Sequence, residues 1–263
     1  GYAANLVTFK GISLIKTGSG NDVFNISGNN SLNMVSGAGD DTFNLNGPGT
    51  ITGQIDSGAG DDTFKFADSA RVLGTIDGGE GYNTLDFSAY SLGVTINLAA
   101  MKVTNQTQGV VLNKFNNIHK LMGSNLAGAN NTLVGSNTDT RFKISGENTG
   151  EISWHNAGNP AIDLVIDFVN IKNLLGGSGN DSFAFTEKGK IGGNIDGGAG
   201  ENWLDYSSFD QEDIPEEERG IRVDLLNGLI PGLTGNLSKV NNIIGTKYND
   251  ILSGNLANNI IDG

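Results

Sequence analysis

Two nearly identical nine-residue segments, SGAGDDTFN at 36–44 and SGAGDDTFK at 57–65, decide the fold of this chain. The pattern recurs in four further clear copies: TGSGNDVFN (17–25), GGEGYNTLD (78–86), GGSGNDSFA (176–184) and GGAGENWLD (197–205). Weaker copies are LAGANNTLV (126–134), GSNTDTRFK (135–143), GTKYNDILS (245–253) and GNLANNIID (254–262). Such repetition predicts a stack of similar small units, each packed mainly against its neighbours.

The sixth residue of each copy measures the spacing of these units. In the first four copies it is Asp22, Asp41, Asp62 and Asn83, so the spacings are 19, 21 and 21 residues. About 20 residues suffice for two short strands and two turns. The chain is therefore predicted to be all-β, a parallel β-helix or β-solenoid with coils of about 20 residues.

The sequence also contains a repeat with a longer period. The sixth residues at 62, 83, 131 and 140 each recur 119 positions later, at 181, 202, 250 and 259. We therefore predict one continuous solenoid over residues 1–263. It would contain an internal duplication of approximately 9–143 and 168–262, with residues 144–167 connecting the two copies.

Apolar residues alternate within each copy. The eighth residue and the residue two positions later are apolar, as in Phe43 and Leu45, and a residue such as Asn44 separates them. Because strand side chains alternate between faces, the apolar pair is predicted to point inward and the intervening residue outward. The opposite strand of each coil would contribute Met34, Ile55, Ile76 and Ile195.

Composition and charge narrow the classes of function. Gly accounts for 40 of 263 residues and apolar residues for 37%, which favours a narrow core over a thick one. A net charge of −13 argues against nucleic acid and anionic membrane surfaces as partners. The chain has no Cys, which excludes disulfides, thiolate metal sites and a Cys nucleophile. We predict neither nucleic-acid binding nor membrane insertion.

Stacking of the coils would bring the acidic turn residues together. Equivalent residues of neighbouring coils lie about 4.8 Å apart. A column of Asp22, Asp41 and Asp62 at that spacing would be destabilising unless a cation neutralised it. Calcium binds carboxylate and backbone carbonyl oxygens, and Gly-rich turns expose their carbonyls. The pattern therefore predicts Ca²⁺ between successive Asp-bearing turns.

The candidate calcium ligands are the carboxylate at position six and oxygen atoms at positions one and three of each turn. They are Thr17, Ser19, Asp22, Ser36, Ala38, Asp41, Ser57, Ala59, Asp62, Gly176, Ser178 and Asp181. Three further candidates directly precede a turn: Asp56, Asp77 and Asp196. Turns with Asn at position six, as at Asn83 and Asn202, lose ligand charge and favour a purely structural role. Metal-free turns held by Asx and Gly hydrogen bonds are the alternative throughout.

The nonapeptides resemble RTX, the haemolysin-type calcium-binding repeats of large secreted bacterial proteins. The longer segments IDGGEGYNTLDFSAYSLGVTINL (76–98) and VNNIIGTKYNDILSG (240–254) are similar to parts of very large repetitive proteins of aquatic bacteria. The resemblance implies export to a calcium-rich medium and a structural or adhesive role at the cell surface. Its implied partners are flanking repeats of the same longer chain and extracellular polysaccharide or another surface. The family usually has calcium turns on both edges, whereas here the second turns lack Asp, so calcium is expected on one edge only.

An enzyme is one alternative, because parallel β-helices also act on polysaccharides. The two histidines, His119 and His155, lie 36 positions apart, and no Ser-His-Asp arrangement stands out. We therefore predict no catalytic activity. A carbohydrate- or surface-binding module is the closer alternative, and its candidate aromatic contacts are Trp154, Trp203, Tyr82 and Tyr90.

Overall fold

The computed structural model describes residues 12–156 and 159–263 and is all-β, with 49% of residues in strands and 1% in helix. Residues 9–11 of the first predicted copy, and residues 157–158 of the connecting segment, lie outside this description. Within the described part, no helix has the length and apolarity needed to cross a membrane. The predicted all-β class is confirmed.

The strands are short, and most contain three to five residues. The first nine are β1 Leu14–Lys16, β2 Val23–Ser27, β3 Asn33–Ala38, β4 Thr42–Asn46, β5 Gly49–Ile51, β6 Ile55–Ala59, β7 Thr63–Phe66, β8 Ala70–Asp77 and β9 Thr84–Asp86. The middle strands are β10 Thr95–Asn97, β11 Lys102–Asn105, β12 Gly109–Asn116, β13 Lys120–Met122, β14 Thr132–Val134, β15 Thr140–Gly146, β16 Thr149–Asn156 and β17 Asn159–Val169. The last are β18 Asn173–Gly177, β19 Ser182–Phe185, β20 Ile195–Gly198, β21 Trp203–Asp205, β22 Arg222–Asp224, β23 Leu237–Ser238, β24 Asn242–Ile244, β25 Ile251–Ser253 and β26 Ile261–Asp262, with a 3₁₀ turn at Glu216–Glu218.

Two twelve-stranded sheets contain nearly all of these strands. The first sheet has the order β1-β3-β6-β8-β12-β11-β10-β14-β18-β20-β23, with β5 beside β8. The second sheet has the order β2-β4-β7-β9-β13-β17-β16-β15-β19-β21-β24-β26. Over β1–β4 and again over β18–β21 the chain alternates between the sheets, and each strand pairs in parallel with its equivalent in the next repeat.

Each sheet contains one antiparallel meander where this regular alternation is interrupted. In the first sheet β10, β11 and β12 pair antiparallel, and in the second sheet β15, β16 and β17 do so. Each meander adds two strands to its own sheet, so the two sheets keep equal strand numbers. The predicted connecting segment 144–167 thus forms most of the second meander.

The core lies between the two sheets and is a ladder of stacked apolar side chains. The Phe43 ring stacks between Phe24 and Phe64, with centroid separations of 4.6 and 5.0 Å. Phe142 and Phe183 stack in the same way at 4.9 Å. The inward residues that the alternation predicts in the clear copies are buried, except Phe24 and Ile26, which are partly buried against the core. The predicted residues of the opposite strands are buried as well: Met34, Ile55, Ile76 and Ile195. Because stacking buries each ring against its equivalent, few residues per coil suffice for a core.

Two predicted outward residues are buried instead. Ala184 and Asp205 lie on the outer side of the second sheet, yet both are almost fully covered. Arg141 donates to Asp205 Oδ2 at 3.0 Å, although β19 lies between their strands β15 and β21. The guanidinium therefore lies across β19, and this long-range ion pair is not visible in the repeat pattern.

Candidate metal centre

The position-six side chains point inward, beneath the Gly-rich turns. Asp41, Asp62 and Asp181 are each at most 1% exposed. Each lies two residues before an inward Phe, at Phe43, Phe64 and Phe183, so strand alternation places the carboxylate on the core side. Asp22, at the described N-terminal end of the column, is partly exposed.

One oxygen of each buried carboxylate is hydrogen-bonded to the preceding turn. The Asp22 N–H donates to Asp41 Oδ1 at 2.7 Å, and the Asp41 N–H donates to Asp62 Oδ1 at 2.7 Å. In the second half of the chain the Thr140 N–H donates to Asp181 Oδ1 at 2.9 Å. The carboxylates thus form a ladder in which each residue satisfies a backbone donor of its neighbouring coil.

The second oxygen of each carboxylate is buried and has no hydrogen-bond partner. This holds for Asp41 Oδ2, Asp62 Oδ2 and Asp181 Oδ2. A Cβ placed on Gly176 would lie 2.2 Å from Asp181 Oδ2 and 2.2 Å from the Gly197 carbonyl oxygen. The Asp181 Oδ2 atom and the Gly197 carbonyl oxygen are therefore at most about 4.4 Å apart. Two hydrogen-bond acceptors this close, with no donor between them, are unfavourable.

Asn at the same position resolves this conflict. The Nδ2 of Asn83 donates to the Asn117 carbonyl at 3.0 Å, and that of Asn202 donates to the Lys239 carbonyl at 2.9 Å. The Oδ1 atoms of the two Asn residues accept N–H groups from Asp62 and Asp181, as an Asp would. Asn is thus satisfied on both sides, whereas Asp41, Asp62 and Asp181 lack either a proton or a cation at the second oxygen. Asp250, at position six of a weaker copy, differs from these three, because Thr246 and Ile221 donate to both of its oxygens.

The residues that accept these Asn hydrogen bonds were missed by the sequence reasoning. Asn117, Asn170 and Lys239 have left-handed backbones, with φ of 52°, 59° and 54°. Asn170 accepts from Asn131 Nδ2 at 2.7 Å in the same manner. All three are the third residue of one recurring phrase: FNNIHKLMGS (115–124), FVNIKNLLGG (168–177) and LSKVNNIIGT (237–246). The recurrence of Asn, which tolerates positive φ, was the available signal.

Position one lies close to position six, since a Cβ added to Gly78 would lie 2.7 Å from the Asn83 side chain and one added to Gly176 would lie 2.2 Å from Asp181 Oδ2. The Ser36 hydroxyl donates to the Ser57 carbonyl at 2.8 Å, and the Ser57 hydroxyl donates to the Gly78 carbonyl at 3.0 Å. Thr17 donates to the Ser36 carbonyl at 2.9 Å. These carbonyl oxygens carry a second lone pair, which these hydroxyls do not occupy.

Position three lies away from the buried column. The Ala38 and Ala59 carbonyls accept ladder hydrogen bonds from Gly20 and Gly39, at 2.6 and 2.8 Å. The position-three residues Ser19 and Ser178 are exposed on the solvent side of the turn.

The acidic residues that precede each turn lie on the outer face of the first sheet. Asp77 Oδ1 accepts from the Gly79 N–H at 3.0 Å and from Asn117 Nδ2 at 2.6 Å. Asp196 accepts from the Gly198 N–H at 2.9 Å and pairs with Lys239 Nζ at 3.1 Å. Asp56 is exposed. Strand alternation separates these three from the Asp41–Asp62 column.

Burial changes the pKa values of two of these carboxyl groups, Asp62 and Asp181. It raises the pKa of Asp62 above its ordinary value, and it raises the pKa of Asp181 to about 7. The Asp139 carboxylate acts in the same direction on the pKa of Asp181, while Thr140 and the Gly177 N–H oppose it. At Asp62 the Ser57 hydroxyl and the Asp41 N–H oppose the effect of burial on the pKa, although the Ser57 hydroxyl donates at 3.0 Å to the Gly78 carbonyl. The charged form of both carboxyl groups is thus destabilised when no cation is bound.

We expect the metal-free protein to lose stability as the pH rises. A folded-state pKa above the unfolded value stabilises the fold below about pH 4, and that stability is lost as the pH approaches 7. Urea unfolding in calcium-free buffer should therefore give a higher free energy of unfolding at pH 5 than at pH 8. Asp181→Asn should reduce this difference, and Asp139→Asn, at an exposed site, should reduce it much less. An equal difference in wild type and Asp181→Asn would contradict the assignment.

Comparison with known proteins gives no family for the chain. No family model matches it, and no curated protein matches it in sequence. Within residues 12–156 and 159–263, no group of three or more His, Asp, Glu or Cys side chains is placed to hold a metal ion. A cation in the column would thus need backbone carbonyls in addition to carboxylates.

Proposed function

We propose that this chain is a calcium-binding, calcium-stabilised segment of a secreted or cell-surface repeat protein of the RTX type. The observation that carries the proposal is the contrast at position six. Asn residues there are fully hydrogen-bonded, whereas Asp41, Asp62 and Asp181 each keep one buried oxygen without a donor. A divalent cation would supply what these three oxygens lack.

The proposed ligands are the buried carboxylates and the carbonyl oxygens of position one. In the first half of the chain they are Asp41 and Asp62 with the Ser36 and Ser57 carbonyls. In the second half Asp181 would act with the Gly197 carbonyl, which lies close to its free oxygen. An all-oxygen set of carboxylates and carbonyls suits Ca²⁺. Bound calcium would neutralise the column and tie neighbouring coils together.

The proposal also includes the arrangement of the two sheets as one continuous β-solenoid. Alternation of the chain between two sheets, with parallel pairing at each step, supports a β-solenoid whose coils contain about 20 residues. The buried Phe ladder runs along this stack and supports one continuous unit with no domain boundary. Such a segment would act as a stiff spacer in an extracellular protein and would need no catalytic site.

Calorimetric titration of the metal-free protein with CaCl₂ tests the proposal directly. Wild type should bind calcium. Asp62→Asn should lose binding at the site formed by Asp41 and Asp62, because the Asn amide supplies the donor that is missing beside Asp62 Oδ2. The matched control is Asp56→Asn, since Asp56 is exposed on the outer face and should leave binding unchanged. Absence of calcium binding in wild type, or equal losses in the two variants, would overturn the proposal.

A further inference from the structure

We propose that the outer face of the first sheet carries a binding groove for a neutral carbohydrate chain. The groove has a volume of about 470 Å³. Its floor consists of outward side chains on neighbouring strands: Thr95 on β10, Thr132 on β14, Asn173 on β18 and Asn194 directly before β20. The turn between β11 and β12 forms one wall, through Gln106 and Thr107.

The groove presents hydrogen-bonding groups that the protein itself does not use. The hydroxyls of Thr95, Thr132 and Thr107 and the amide of Gln106 have no partner within the described residues. Asn194 Oδ1 accepts from the Asn236 N–H at 2.9 Å, which leaves the Nδ2 of Asn194 free. Several donors and acceptors therefore converge on one open volume.

The chemistry of the lining selects a neutral ligand. The net charge of the chain is −13, yet none of the described residues that line this groove is charged. An ionic ligand would need a complementary charge, and an apolar one would leave the amides and hydroxyls unsatisfied. Hydroxyl and amide groups both donate and accept, as sugar hydroxyls do. A neutral, polyhydroxylated ligand satisfies the groove best.

The length of the floor favours a chain over a single sugar ring. Four adjacent strand positions at the normal sheet spacing extend over about 14 Å. The four side chains repeat along this line at regular intervals, which suits a ligand that is itself a repeating polymer. A short oligosaccharide could span all four positions and hydrogen-bond to Thr95, Thr132 and Asn194. The Asn173 amide already accepts from the Asn194 N–H and donates to the Asn131 carbonyl.

The groove is held in shape before any ligand binds. Gly93 lies against the loop that precedes β14, and a Cβ there would come within 2.4 Å of the Asn130 carbonyl oxygen. On the opposite wall, Asn105 Oδ1 accepts the N–H groups of Thr107 and Gln108, at 3.1 and 2.6 Å. Preformed walls lower the cost of ordering a binding site.

This location differs from the aromatic patch considered from the sequence. Tyr90 is fully buried, and Trp154 is only 7% exposed, so neither presents a ring face to a sugar. Trp154 instead borders an apolar cavity of about 430 Å³ with Met101 and Phe115, which lacks a comparable set of free polar groups. Tyr82 is exposed, but its ring stacks on His119 and its hydroxyl donates to Asp167. Trp203 is partly exposed on the second sheet, away from the groove. We assign carbohydrate recognition to the polar groove, where several hydrogen-bonding groups converge.

Titration followed by amide NMR shifts in calcium-containing buffer tests the groove. Cellohexaose and maltohexaose serve as neutral probes, and hexagalacturonate serves as the charged control. At least one neutral probe should shift the amides of Thr95, Thr107, Thr132 and Asn194, and hexagalacturonate should not. Thr132→Val keeps the β-branched shape but removes a hydroxyl, and it should weaken binding about fivefold.

Thr63→Val is the matched control, because Thr63 lies on a strand of the second sheet, away from the groove. It should leave the affinity for the neutral probe unchanged. The proposal would be overturned if neither neutral probe shifts the groove amides at millimolar concentration. It would also be overturned if the charged probe binds equally, or if the two valine variants weaken binding to the same extent. A separate calcium titration reports on the metal proposal, so failure of one leaves the other intact.

Discussion

Calcium is expected to raise the melting temperature of the metal-free protein by roughly 10–20 °C. Each independent site at about 100 times its dissociation constant adds about 2.7 kcal/mol, because calcium binds only the folded turns. Two such sites, with the roughly 2–4 °C per kcal/mol typical of domains of this size, give the expected range. The effect should be large because the buried oxygens of Asp41 and Asp62 have no donor when the metal is absent.

Thermal unfolding by circular dichroism, with chelator, with calcium and with magnesium, measures this effect. Magnesium should give a much smaller shift, since it demands a near-octahedral shell and gives up its water reluctantly. Asp41→Ala, which removes a carboxylate of the first of the two proposed sites, should abolish about half of the calcium-dependent shift. Identical melting curves in all three buffers would show that hydrogen bonds alone hold the turns.

The repeat pattern was sufficient to predict the core. Position eight and the residue two later are inward in each clear copy, and Phe43, Phe64 and Phe183 stack as the spacing requires. The burial of position six was not predicted, although it follows from the same alternation, since position six lies two residues before the inward position eight. These features depend on strand period and coil length, and both can be read directly from the residues.

Other features depend on contacts between distant coils and were not accessible. The Arg141–Asp205 ion pair reaches across an intervening strand, and no local pattern marks it. The two antiparallel meanders, β10–β12 and β15–β17, interrupt regions where the nonapeptide is weak or missing. That position three supplies ligands stays a prediction, since the Ala38 and Ala59 carbonyls each accept one ladder hydrogen bond, as the position-one carbonyls accept one from a hydroxyl.

The difference between Asp and Asn at position six is the feature that joins fold and function. It follows from one atom, because Nδ2 of Asn can donate to the carbonyl of the next coil and Oδ2 of Asp cannot. A stack of repeats with Asn at every position six would have a donor at each of these positions without metal. If calcium binds as proposed, the mixture found here would leave the Asn-bearing repeats independent of calcium, so calcium would control only part of the stack.

Reciprocal exchange of Asp181 and Asn202 should therefore change stability in opposite directions. In metal-free buffer, Asp181→Asn should raise the free energy of unfolding by about 1–2 kcal/mol, since it removes a buried charge and supplies a donor. Asn202→Asp should lower it by roughly 3 kcal/mol or more, because a charged oxygen would replace the Nδ2 that donates to the Lys239 carbonyl at 2.9 Å.

Urea unfolding of both variants, with chelator and with calcium, separates the two roles of position six. Calcium should restore part of the stability of Asn202→Asp and should have a reduced effect on Asp181→Asn relative to wild type. If Asp181→Asn were instead destabilising in chelator, the unpartnered oxygen could not be the source of the calcium requirement. A loss in Asn202→Asp that calcium leaves unchanged would show that a carboxylate at this position does not suffice to recruit the ion.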